Sequence, residues 1–214
     1  MQDELGYLLV IPEGNTASDG GQFWNATPEC CDSDETGVDD VGYLVSLIDE
    51  VQQEWGGGEV YLIGHSNGGF MGHRFVCDEP GLVSGIVALA GSSFNDPADC
   101  GFDGALSVVL AHGTADETVP YEGFDLPTYA YPGARELAAR WVSRLACDEA
   151  PAEVAQRDYE TSIDGEETAT QTWTGCADET SVALWTIEAG IHIPSLDSQV
   201  FTRDALTFVG LEAF

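Results

Sequence analysis

The segment from Val60 to Met71, VYLIGHSNGGFM, constrains the fold of this chain more than any other stretch. An apolar run enters the pattern GxSxG, and the residues after it have helical spacing until Pro80. This order is typical of a strand that turns sharply into a helix and mounts a nucleophilic serine on the turn. Ser66 is therefore the first candidate for chemistry. Gly64 and Gly68 are predicted to stand where a β-carbon would clash with the backbone.

Apolar runs alternate with helical patterns along the chain, which indicates an α/β fold with a mainly parallel sheet covered by helices. Besides the run before Ser66, strands are predicted at residues 7–11, 84–90, 107–111 and 182–187. Helices are predicted at residues 38–55, 134–146 and 198–209. The acidic region 148–180 is predicted to hold short strands or a hairpin. The 214 residues fit one domain, residues 1–214, which needs no metal to fold.

The charge balance is extreme, with 38 acidic residues against 6 basic ones and no lysine. The net charge of -32 argues against nucleic acid and anionic membranes as partners. The acids are spread along the chain, and such a surface repels itself in dilute buffer. This indicates a protein adapted to high salt, with an ordinary acidic secreted protein as the alternative. No run approaches 18 apolar residues, so a membrane span is not expected.

The cysteines lie outside CxxC spacing and lack nearby histidines, which argues against zinc and for disulfides. Cys147 and Cys176 bracket a polar insert and are predicted to pair. Cys30 and Cys31 are adjacent and poorly placed to bond each other, so at least one is predicted to reach a distant cysteine. The candidates for that partner are Cys77 and Cys100.

Disulfides imply export to an oxidising compartment. The N-terminus, MQDELGYLLVIPEG, has no basic region and no long apolar run. We therefore expect a secreted protein whose export signal is not present in this chain.

A serine nucleophile needs a base, and histidine suits that role because its ordinary pKa is about 6.5. Of the four histidines, His65 should leave the strand in another direction than Ser66, and His73 lies two turns along the next helix. His112 ends a strand, where it is expected to pack beside the site or bond the following loop. His192 lies in a loop after the last strand. Because the order in α/β-hydrolases is serine, acid, histidine, we expect His192 to be the base.

The acid that orients His192 should come from a loop between the other two residues. Asp116 follows a buried strand in VVLAHGTADETVPY, with Gly113 before it and Pro120 closing the loop. This position at a strand end favours Asp116. The competing aspartates are Asp96, Asp99, Asp103 and Asp125.

Three motifs in order, YLIGHSNGGFMGHRFVCDEP, HGTADETVPYEG and AGIHIP, resemble the esterase family that includes extracellular polyhydroxyalkanoate depolymerases and feruloyl or acetylxylan esterases. The resemblance runs from about Tyr7 to the C-terminus. It implies an α/β-hydrolase fold, secretion, no cofactor, and Ser66, Asp116 and His192 as the catalytic triad. It also implies that the backbone N–H of Asn67 serves the oxyanion hole.

The chain departs from this family in two ways. The family usually has a GGHxWP pattern at the histidine, where this chain has GIHIP, so Ile193 is expected to contact substrate. Trp24 and His65 are the other expected substrate contacts. The family also begins with several upstream strands, and the fold is therefore expected to be N-terminally shortened. A loop among those strands normally supplies the second oxyanion donor, so the loop of Trp24 or a neighbouring subunit is expected to replace it.

Absent strands would leave a sheet edge exposed, which favours homo-oligomerisation through that edge. The expected function is that of a secreted serine esterase acting on small or polymeric esters. The substrate classes are aryl esters such as feruloyl conjugates, and polyesters such as polyhydroxyalkanoate or polyethylene terephthalate. One alternative is a peptidase or lipase on the same scaffold, and another is a non-catalytic remnant that binds carbohydrate or a surface. No metal or cofactor is expected.

Overall fold

Strands and helices alternate along most of the chain in the computed structural model, which describes residues 7–127 and 129–211. The strands are β1 (Asn15–Thr16), β2 (Gln22–Phe23), β3 (Tyr61–His65), β4 (Gly85–Leu89), β5 (Ser107–Gly113), β6 (Gly123–Leu126), β7 (Tyr129–Pro132), β8 (Glu153–Arg157), β9 (Thr168–Trp173) and β10 (Val182–Ile187). The helices are α1 (Asp40–Trp55), α2 (Asn67–Asp78), α3 (Ala134–Arg144) and α4 (Ser198–Phe208). The predicted α/β class is confirmed.

Six strands form the central sheet in the order β3-β4-β5-β10-β9-β8. The first four run parallel. Strands β9 and β8 continue the sheet antiparallel, as the hairpin predicted for region 148–180. Since β5 lies inside the sheet, its side chains are buried on both faces: Leu110 belongs to the core cluster that includes side chains of α1, α2 and α3, and Val109 to the cluster that includes side chains of α4. The carboxyl ends of the four parallel strands therefore meet at one edge of a rigid layer.

Helix α1 begins and ends at capping residues. The Asp39 carboxylate accepts a hydrogen bond from the Gly42 N–H at 2.8 Å at the start of α1. Gly56, with φ of 98°, ends this helix in a conformation that favours glycine. Within the described ranges, none of the helices is long and apolar enough to cross a bilayer.

Strand β3, which leads to Ser66, is one of the two edge strands of the central sheet. Among the described residues it pairs with β4 alone. The strand predicted at residues 7–11 is wrong, because this apolar segment has no neighbouring strand to hydrogen-bond. Its side chains are largely exposed, with Leu9 at 54% and Ile11 at 80%. Homo-oligomerisation through the β3 edge stays a prediction.

Three disulfides are present, namely Cys30–Cys31, Cys77–Cys100 and Cys147–Cys176. The third confirms the pair predicted from the sequence. The prediction that Cys30 or Cys31 reaches a distant partner is wrong. Cys77 at the end of α2 and Cys100 lie with their Cα atoms 4.6 Å apart and bond each other, which leaves the two adjacent cysteines as partners.

Candidate active site

Ser66 sits on the turn between β3 and α2, in the strained conformation that the sequence predicts. Its φ of 55° and ψ of -120° are rarely adopted by residues other than glycine. The Ser66 N–H donates to the Leu89 carbonyl at 2.8 Å, which ties the turn to β4. A Cβ on Gly64 would lie 2.1 Å from the Gly68 carbonyl oxygen, so the turn requires glycine there. A Cβ on Gly68 would meet nothing within 4 Å, so the clash predicted at Gly68 is wrong.

Ser66, Asp116 and His192 form a continuous hydrogen-bonded relay at the carboxyl edge of the sheet. His192 Nε2 lies 2.9 Å from Ser66 Oγ, and His192 Nδ1 lies 2.8 Å from Asp116 Oδ2. Since a carboxylate only accepts, Nδ1 carries the ring proton of neutral His192. Nε2 then faces the serine hydroxyl as an acceptor. This arrangement can move a proton from Ser66 to His192.

Asp116 is 5% exposed and fully engaged in hydrogen bonds. Its Oδ1 accepts the backbone N–H of Thr118 at 2.8 Å and of Val119 at 2.9 Å. Burial by itself would raise the pKa of Asp116, but hydrogen bonds from His112, His192 and the two backbone N–H groups outweigh it and lower the pKa. The carboxylate is therefore ionised at neutral pH and can stabilise a protonated His192.

Two of the other three histidines contact the residues around the relay. His112 Nε2 donates to the Val119 carbonyl at 2.7 Å and lies 3.3 Å from Asp116 Oδ2, so it packs beside Asp116 while bonding the following loop. His65 Nε2 donates to the backbone carbonyl of His192 at 2.7 Å, which joins the nucleophile strand to the histidine loop. His73 is buried in the core. The competing aspartates are all exposed, namely Asp96, Asp99, Asp103 and Asp125.

The loops that carry Asp116 and His192 are held against each other by their backbones. A Cβ on Gly113 would lie 2.1 Å from the Gly190 carbonyl oxygen, so only glycine allows this approach. The Ala115 N–H donates to that same oxygen at 2.9 Å. Thr114 Oγ1 accepts the Ala189 N–H at 2.8 Å. Sequence reasoning did not find this contact, and its only signal is a glycine beside each of the two motifs.

Asn67 ties the loop of Trp24 to the start of α2. Its Oδ1 accepts the Trp24 N–H at 2.7 Å, and its Nδ2 donates to the Trp24 carbonyl at 2.9 Å. The Trp24 N–H is therefore taken and cannot serve as the second oxyanion donor. The backbone N–H of Asn67 has no acceptor among the described residues, as expected for the first residue of a helix.

A groove of about 460 Å³ opens beside Ser66, between residues 9–12 and the free edge of β3. We call it the β3 groove. It reaches the backbone from Gly64 to Gly68, and its other lining residues include Leu9, Ile11, Trp24, Ile63 and His65. Of the expected substrate contacts, Trp24 and His65 thus line the groove. Ile193 is 71% exposed and does not. The described parts of the chain hold no cluster of three or more side chains suited to a metal ion.

Comparison with known proteins gives a family and a relative. A profile of the alpha/beta hydrolase fold family matches residues 24–172. The chain is also similar to "Putative esterase NocK" of Nocardia uniformis subsp. tsuyamanensis, with 30% identity over 121 residues. That alignment covers 56% of this chain and 33% of NocK, so the chain spans about a third of the length of this curated relative. The family match includes Ser66 and Asp116 and ends before His192.

Proposed function

The chain belongs to the alpha/beta hydrolase fold family, and we propose that within this family it is a serine hydrolase of carboxylic esters. The observation that carries the proposal is the relay of Ser66, His192 and Asp116, with contacts of 2.9 and 2.8 Å. The similarity to a protein named as an esterase supports the same reaction class. Three disulfides are compatible with an extracellular protein, and secretion is part of the proposal.

The reaction proceeds through an acyl-enzyme. Ser66 Oγ attacks the ester carbonyl carbon while His192 Nε2 takes the hydroxyl proton, and Asp116 stabilises the imidazolium that forms. His192 then returns that proton to the departing alcohol oxygen as the ester C–O bond breaks. A water molecule, deprotonated by the same nitrogen, then attacks the acyl carbon. The bond from this carbon to Ser66 Oγ breaks as His192 gives the proton to Oγ, which releases the acid and free Ser66.

The backbone N–H of Asn67 is the proposed donor to the oxyanion of both tetrahedral intermediates. It follows Ser66 directly and has no acceptor among the described residues. The electrostatics at the first turn of α2 favour negative charge at this point. Loss of one oxyanion donor costs about 3 kcal/mol in the barrier, so hydrolysis supported by Asn67 alone would be slow.

We propose that the groups beside the ester bond of the substrate are apolar or aromatic. The β3 groove is open along one side and lined by Leu9, Ile11, Trp24 and Ile63 next to the nucleophile. Aryl esters fit such a surface, and its open side suits polyesters such as polyhydroxyalkanoate or polyethylene terephthalate. We expect Trp24→Ala to raise KM for aryl esters more than it lowers kcat, because Trp24 lines the groove and its side chain takes no part in the relay.

The function is tested by hydrolysis of p-nitrophenyl butyrate in molar KCl. We expect Ser66→Ala to lower kcat by at least about 10⁴-fold, because the nucleophile is lost. Ser46→Ala, which removes a hydroxyl on the exposed face of α1, is the matched control and should keep wild-type activity. A fluorophosphonate probe should label wild-type protein at Ser66 and leave Ser66→Ala unmodified.

Equal rates for wild type and Ser66→Ala would exclude the serine mechanism. Peptide and long-chain triglyceride substrates separate an esterase from a peptidase or lipase on the same scaffold. A wild-type protein that neither hydrolyses esters nor reacts with the probe would favour a non-catalytic binding module.

A further inference from the structure

A buried carboxylate outside the relay, Glu160, holds the loop that carries His192. Glu160 lies between β8 and β9 and is 1% exposed. Its Oε2 accepts the backbone N–H of Ser195 at 2.5 Å, and its Oε1 accepts the N–H and hydroxyl of Ser162 at 2.9 and 2.7 Å. All three donors are neutral. Among the ion pairs of the described residues, none involves Glu160.

The next residue, Thr161, also hydrogen-bonds to Ser195. The Thr161 N–H donates to the Ser195 carbonyl at 2.9 Å, and Thr161 Oγ1 donates to it at 2.6 Å. Both backbone polar groups of Ser195 are therefore fixed by residues 160 and 161. Ser195 lies three residues after His192, so these hydrogen bonds restrain the chain close to the imidazole.

The histidine loop is thus anchored on both sides of His192. The Ala115 N–H fixes the Gly190 carbonyl on one side, and His65 holds the carbonyl of His192 itself. Glu160 and Thr161 fix Ser195 on the other side. Without this third anchor, residues 193–195 would be held only by the His65 contact to His192 before them and by the Asp197 N–H, which donates to the Tyr159 carbonyl at 2.7 Å, after them.

Stability alone does not explain a carboxylate at this position. Burying a charge without a counter-ion is costly, and an apolar side chain of the same volume is often as stable. The residues that donate to Glu160, Ser162 and Ser195, are themselves exposed, and their groups could turn to water instead. We propose that Glu160 is a positioning residue that keeps His192 Nε2 in line with Ser66 Oγ. This role rests on the proposed esterase function.

The test compares three variants in esterase assays. Glu160→Met keeps the side-chain volume and removes both acceptors, so kcat for p-nitrophenyl butyrate should fall by about 10-fold or more, because small misplacements of a catalytic group are costly. KM should stay unchanged, since Glu160 does not line the β3 groove. Glu160→Gln retains one acceptor and should restore part of kcat. Ser162→Ala is the matched control, because it removes a contact to Glu160 without touching Ser195, and it should keep wild-type kcat.

A second readout reports the geometry of His192 directly. The proton on Nδ1 of His192, hydrogen-bonded to Asp116, should give a downfield proton resonance in the wild type. We expect this signal to broaden or disappear in Glu160→Met and to persist in Ser162→Ala. A loss of thermal stability alone would not alter it in the folded protein.

Three results would overturn the proposal: folded Glu160→Met with wild-type kcat, an unchanged resonance in that variant, or an equal loss of kcat in Ser162→Ala. If Glu160→Met does not fold, Thr161→Val removes an exposed hydroxyl donor to Ser195, and wild-type kcat in that variant would contradict the anchor. If the wild type itself hydrolyses no ester, the proposed function fails, while the resonance comparison still decides whether Glu160 positions His192.

Discussion

His73 is a polar side chain buried in the core without a hydrogen-bond partner among the described residues. It is fully buried, and its ring stacks on Trp141 with centroids 5.7 Å apart. Burial lowers the pKa of His73 from its ordinary value of 6.5 to about 3. The histidine is therefore neutral in the folded protein over a range where it takes up a proton in the unfolded chain.

This difference predicts a loss of stability in mild acid. Because the folded-state pKa is the lower one, the contribution of His73 is complete above pH 6.5 and is lost as the pH falls toward 3. We expect the unfolding free energy of wild type to fall by about 2 kcal/mol more than that of His73→Leu between pH 7 and pH 5. Urea unfolding in molar KCl, which screens the acidic surface, measures the difference. Parallel pH curves for the two proteins would contradict it.

Residues with a local signature could be identified from the sequence. GxSxG marked Ser66, and positions at strand ends marked Asp116 and His192, which the structure brings into one relay. Their catalytic roles stay predictions. Glu160 could not be identified in this way, because its contact with Ser195 spans 35 residues and no local pattern distinguishes it from the other acids.

At the scale of elements, the disulfides differ in how much chain they close. Cys147 follows α3 and Cys176 follows β9, and the bond between them spans 29 residues. The bond between Cys30 and Cys31 spans adjacent residues. A cross-link stabilises mainly by restricting the unfolded chain, and the restriction grows with the enclosed length.

We therefore expect the two bonds to contribute very unequally to stability. Replacing Cys147 and Cys176 together by serine should lower the unfolding free energy by about 3–4 kcal/mol. The same replacement of Cys30 and Cys31 should cost about 1 kcal/mol or less, because almost no loop is closed. Chemical denaturation of both double variants at neutral pH makes the comparison. Equal losses would show that the enclosed length is not the deciding factor.

The sequence predicted the bounds of long, regular elements and missed the short strands. Helix α1, strand β10 and helix α4 lie within two residues of their predicted bounds, because each has a clear period or a buried apolar run. The hairpins β1–β2 and β6–β7 were missed, since two-residue and four-residue strands are too short to show a period. The apolar run at residues 7–11 is not a strand, because a strand needs a neighbour as well as a suitable sequence.

The surface of the whole molecule is dominated by unpaired carboxylates. All six arginines lie in the described residues, and five of them pair with an acidic side chain. Arg144 instead donates to the backbone carbonyls of Pro97 and Cys100. With 38 acidic residues in the chain, most carboxylates therefore repel one another without compensation.

Salt should consequently stabilise the fold. The screening length shrinks from about 10 Å at 0.1 M to about 3 Å at 1 M, which removes most repulsion between neighbouring surface carboxylates. We expect Tm to rise steeply with KCl up to about 1 M and more slowly beyond, where only weaker ion-specific effects remain. Thermal melts in KCl and in choline chloride at equal ionic strength separate charge screening from ion-specific effects. A Tm that does not change below 1 M would contradict adaptation to high salt.

The sequence by itself determined the fold class, the alpha/beta hydrolase family and the order of Ser66, Asp116 and His192, because each depends on local patterns and on their succession along the chain. Only the tertiary structure decided the partners of the adjacent cysteines, the contact of Gly113 with Gly190, and the grip of Glu160 on Ser195. The two loop contacts join residues that no local pattern relates, since they arise when loops from different strands meet at one edge of the sheet. Cys30 and Cys31 are left to each other because Cys77 and Cys100 lie within bonding distance.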